Sequence, residues 1–79
     1  MPEPAESPHV FKEAALRRFE HNIALSHTHI QSQEAIIQLL NHRGNTKAVQ
    51  QAKEILETMV RHLNIQTDFA ARLQAEVDE

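Results

Sequence analysis

The sequence predicts an all-α fold: an antiparallel two-helix hairpin with an apolar flank that pairs two copies into a four-helix bundle. Three observations lead there. One glycine, Gly44, is the sole Gly of the chain, and no Pro follows Pro8. Apolar residues on either side of Gly44 recur at alternating spacings of three and four, the mark of a helical seam. The two stripes also match when one is read backwards. Leu40 then faces Val49, Ile37 faces Ala52, Gln33 faces Leu56, Ile30 faces Met59, Ser26 faces Leu63, Ile23 faces Gln66, Phe19 faces Ala70 and Leu16 faces Leu73. Each step back along one helix is answered by an equal step forward along the other, as antiparallel packing requires.

Taken in order, the first element is a tail. Pro2, Pro4 and Pro8 lie among acids and small residues, so residues 1–6 are expected to be disordered. Ser7 can accept a hydrogen bond from an orphan backbone N–H and Pro8 suits the first helical position, which starts helix 1 at about residue 8. It runs without a breaker to about residue 42, where His42 and Arg43 suit the negative end of the helix dipole. Gly44 supplies the positive φ that ends many helices. The turn is expected at 43–46, with Asn45 or Thr46 capping a second helix over about 47–77. Residues 7–77 thus form one domain.

Composition closes off several classes. There are 79 residues and no Cys. Chains this short need a partner, a metal or disulfides to supplement a small core; disulfides are excluded, and a reducing cytoplasmic setting is expected. No stretch approaches the roughly 20 apolar residues of a membrane span, and the N-terminus has neither the basic nor the apolar segment of a signal peptide. The formal charge is −3. Setting aside Glu3, Glu6, Asp78 and Glu79 leaves 7 acidic side chains against 8 Lys and Arg. A nearly neutral hairpin, with Lys12, Arg17 and Arg18 as one small basic cluster and Arg43 and Lys47 beside the turn, disfavours nucleic-acid binding.

The three polar seam residues, Ser26, Gln33 and Gln66, admit two readings: buried groups that fix register through specific partners, or side chains that reach out to water. Beside the seam the two flanks differ. The positions preceding each a residue (g) are Ala15, Asn22, His29 and Ile36 on helix 1 and Ala48, Ile55, His62, Phe69 and Glu76 on helix 2. The other flank carries Glu20, His27 and Glu34 against Lys53, Val60 and Thr67, where Glu34 and Lys53 can pair. An apolar flank beside a packed seam is what a bundle buries against a second hairpin, so Ile36, Ile55 and Phe69, with His29 and His62 between them, are the expected interface of a homodimer. Phe11, Leu25, Leu39 and Ile65 lie off both stripes and are expected to be singly exposed apolar residues; the alternative is that Phe11, near the start of helix 1, and Ile65 extend a binding surface. Glu13–Arg17, Glu57–Arg61 and Asp68–Arg72 are helical i,i+4 pairs in the favourable order.

Six histidines in 79 residues is the one compositional oddity. Two ligands on one helix need a spacing of three or four. His27 and His29 are two apart; His9 and His21 have no partner at that spacing, and His42 sits at the turn. His29 and His62, on facing helices, remain as the candidate metal ligands, doubled to four imidazoles in a dimer. The alternatives for them are polar residues at an interface rim, or a pH-sensitive pair that loosens the oligomer near ~pH 5–6. No catalytic residues are identified: there is no Cys, Ser7, Ser26 and Ser32 have no base and acid arranged beside them, and a single Gly cannot build a phosphate loop. No cofactor is expected, and the chain is read as a non-enzyme.

Around the centre of the hairpin, His29-Ile30, Gln33-Glu34, Ile36-Ile37, Arg43-Gly44, Thr46, Ala52, Ile55-Leu56-Glu57, Leu63 and Arg72-Leu73 resemble a group of short, uncharacterised helical-hairpin proteins of alphaproteobacteria. The resemblance covers about residues 29–73. In that group an Asp usually precedes the Thr, where this chain has Asn45. The resemblance implies the fold and a bacterial origin, and no activity. The expected function is a small protein–protein interaction or regulatory module acting as a homodimeric bundle. A metal-binding or metal-sensing bundle is the alternative, and an RNA-binding hairpin dimer comes third.

Overall fold

The computed structural model describes residues 8–78, so the expected tail at residues 1–6 and the Ser7 cap lie outside the described residues. Two helices make up the fold, α1 over Pro8–His42 and α2 over Thr46–Val77. They pack along their length as an antiparallel hairpin, an elongated slab of 68 × 20 × 14 Å. A helix with its side chains is about 10–12 Å across, so the slab is one helix thick.

The reversal is built from backbone chemistry. Gly44 has φ +75°, its N–H donates to the Asn41 carbonyl at 3.0 Å, and the Asn45 N–H donates to the Leu40 carbonyl at 3.1 Å. This pair of bonds is the Schellman closure, which satisfies carbonyls that the end of α1 would otherwise leave open. Asn45 then caps α2: its Oδ1 accepts from the Ala48 N–H at 3.1 Å. Because Asn45 takes the cap, α2 starts at Thr46.

Solvent exposure follows the seam. Leu16, Val49, Ala52, Leu63, Ala70 and Leu73 are buried. The remaining seam positions from Phe19 to Val77 are half-buried, and outside the seam only Lys12, Glu13, Ala15 and Ala48 are even partly shielded among the described side chains. At the open end Leu16, Ala70 and Leu73 form a buried cluster with Phe19, Ile23 and Val77 packed against it, and the Phe19 and Phe69 rings stack with centroids 5.1 Å apart.

The polar seam residues have found partners. Gln33 Nε2 donates to the Ala52 carbonyl at 3.0 Å, and Ser26 Oγ donates to Gln66 Oε1 at 3.3 Å. Both bonds cross between the helices. At the open end Lys12 Nζ pairs with Glu76 at 3.0 Å, and on α2 Asp68 pairs with Arg72 at 2.9 Å. Among the described residues Glu34 and Lys53 do not form the expected ion pair: both are exposed on the polar flank, where water competes well for each charge.

Candidate functional site: an apolar face around two histidines

The side chains that the seam leaves out are not scattered. The large apolar residues in solvent are Val10, Phe11, Leu25, Ile36, Leu39, Ile55, Val60, Ile65 and Phe69. Ile36, Ile55 and Phe69 occupy the g flank, each about half exposed. Phe11, Leu25, Leu39 and Ile65 each stand two residues after an a position (c). Successive residues turn by about 100° around a helix, which sets c only about 40° from g. The four residues are exposed, as expected, and their angular position places them on the same side of the hairpin as the g flank.

In antiparallel packing the g positions of the two helices run side by side, so c and g of α1 and g and c of α2 form one broad face. Seven of the nine exposed large apolar side chains belong to it, all but Val10 and Val60. The opposite flank carries Val60 alone of that set, among Glu20, His27, Glu34, Lys53, Thr67 and Gln74. The first side gathers most of the large exposed apolar residues, interspersed with Arg18, Asn22, Ser32, Thr58 and Arg72; the other is almost wholly polar.

His29 and His62 stand in the middle of the apolar face. Both line a shallow groove of ≈160 Å³ together with Ser26, Met59 and Gln66. The Ser26–Gln66 hydrogen bond thus forms part of the groove wall. One heptad from the histidines toward the turn come Ile36 and Ile55; one heptad toward the open end come Asn22 and Phe69. The pair is polar, with two isoleucines on the turn side and a phenylalanine beside an asparagine on the other.

Within one chain the two imidazoles are not joined by further ligands. Among the described residues no group of three or more His, Asp or Glu side chains is placed to hold a metal ion. His29 and His62 are exposed in the single hairpin, as are His21, His27 and His42, which do not line this groove. No helix among the described residues is long and apolar enough to cross a membrane. A second groove, lined by Ala15, Arg18, Phe19 and Asn22, continues the same face toward the open end.

No family model matches the sequence, and neither a curated protein nor a solved structure matches it significantly. The face and its histidines are therefore interpreted from their own chemistry.

Proposed function

We propose that the chain is a small interaction module that works as a homodimeric four-helix bundle and docks another protein on the surface left free by the dimer. The observation that carries this is the gathering of Phe11, Leu25, Ile36, Leu39, Ile55, Ile65 and Phe69 on one side of the hairpin, each 45% or more exposed. A concentration of large exposed apolar residues on one side points to an interaction site.

The shape supports the same reading: a hairpin one helix thick leaves a whole flank of each helix in solvent, and a second hairpin is what buries such a flank in a bundle. A second copy is the simplest occupant, because a two-fold contact needs one self-complementary patch and no separate partner. A non-catalytic role in a reducing cytoplasm, in a bacterial cell, completes the proposal; the lack of cysteine and the resemblance at residues 29–73 support it.

Sedimentation equilibrium at tens of micromolar tests the assembly. The wild type is expected to sediment as a dimer and Ile55→Glu as a monomer. The substitution enters a two-fold interface twice, and losing about 1.5 kcal/mol at each copy weakens association roughly a hundredfold. A wild type that stays monomeric throughout refutes the assembly. Affinity capture that recovers only the chain itself under several conditions counts against the docking role.

A second reading, metal binding through His29 and His62, is favoured by one specific observation: both imidazoles open onto the same groove.

A further inference from the structure

We propose that the dimer holds one divalent first-row transition-metal ion of the kind that favours imidazole (zinc, nickel or copper), bound by His29 and His62 from both copies. This rests on the homodimer reading above and adds a ligand to it.

Position along the hairpin comes first. The facing layers of the seam run from Leu16 opposite Leu73 to Leu40 opposite Val49. The midpoint of that stretch falls at residues 28 and 61, so His29 and His62 lie one residue from the centre on each helix. Two hairpins stacked face to face can be related by a two-fold axis in two ways. If the axis runs along the helices, every layer meets its own copy, and the histidine layer does so too. If the axis runs across the helices, the turn of one hairpin lies over the open end of the other, and only the layer on the axis meets itself. With the packed lengths fully overlapped, that is the central layer. Either arrangement brings four imidazoles together.

The crosswise arrangement lays Ile55, seven residues before His62, over Phe69 of the second copy, seven residues after it, and Ile36 over Asn22 of the second copy. The histidine layer is bordered by Ile36 and Ile55 toward the turn and by Phe69 with Asn22 toward the open end.

The donor chemistry suits the ion. Neutral imidazole nitrogen is a common ligand for zinc, copper and nickel, and four such nitrogens satisfy a tetrahedral site. A ligating imidazole usually donates its other ring N–H to an oxygen acceptor, which fixes the ring. Gln66 lines the same groove, and its Oε1 is an acceptor of this kind. It accepts one bond from Ser26 and keeps a second lone pair for that purpose. Among the described residues one chain brings two imidazoles to this groove and no further His, Asp or Glu, so a four-imidazole site is incomplete without the second copy.

The test uses the full chain without a histidine tag, stripped with chelator, dialysed against zinc and analysed for metal and for mass by sedimentation. One zinc per two chains is expected, with affinity lowered about a hundredfold or more in His62→Ala and unchanged in His27→Ala. Cobalt in place of zinc should give the strong visible absorption of a tetrahedral ion, lost in His62→Ala. Sedimentation of stripped His62→Ala should still show a dimer, because the apolar face remains. A stripped wild-type dimer that takes up no stoichiometric metal, takes one ion per chain, or binds equally well after His62→Ala overturns the metal site and leaves the dimer standing. A wild-type monomer overturns both.

Discussion

At the scale of single residues, the hairpin depends on a backbone conformation that L side chains rarely adopt. Gly44 at φ +75° would meet nothing within 4 Å if it carried a Cβ, so the cost of a side chain there is purely conformational. Gly44→Ala should lower the unfolding free energy by about 1 kcal/mol, and Gly44→Asn by less, because Asn tolerates the left-handed region. Chemical denaturation of the three proteins measures the difference. Equal stability for all three would mean that the turn is not closed as described. This residue was readable in advance, because a lone glycine between two periodic segments has few other uses. Asn45 was readable less fully. Both Asn45 and Thr46 can cap a helix, and only the Ala48 hydrogen bond at 3.1 Å decides between them.

At the scale of the helices, the seam could be foreseen and its polar chemistry could not. Heptad spacing is a property of the sequence, and matching the two stripes fixed which layers meet. Whether Ser26, Gln33 and Gln66 turn inward or reach for water depends on rotamers and on the separation of the helices, which spacing does not encode. Gln33 turns inward to the Ala52 carbonyl, an oxygen that still accepts its ordinary bond within α2. Gln33→Leu therefore leaves no group stranded and adds apolar burial beside Leu56. The expected result is a gain of about 1 kcal/mol in unfolding free energy. A loss of that size would show that the amide anchors the register more strongly than a neutral hydrogen bond should. The exposure of the c residues was legible and their grouping less so: Phe11, Leu25, Leu39 and Ile65 are too widely spaced along α1 and α2 to form a stripe, and they share a side only once two antiparallel helices stand next to each other.

At the scale of the whole molecule, the slab is too thin to bury what it carries. Its buried residues sit in one seam, and most of the large apolar side chains outside it share one face. The central question is whether a second copy covers that face with the histidine layers level. Thr28 offers a place to ask. It is exposed, lies at the height of His29 and is removed from the apolar face, and the chain has no native cysteine to compete for labelling. With a nitroxide on Thr28→Cys, pulsed dipolar spectroscopy reads the distance between copies. Helices packed at about 8–10 Å and meeting at their centres predict a single distance below roughly 35 Å. An end-to-end contact between hairpins 68 Å long would put the labels beyond roughly 50 Å, as helix length dictates. Such a distance, or no dipolar signal between copies at tens of micromolar, would contradict the account.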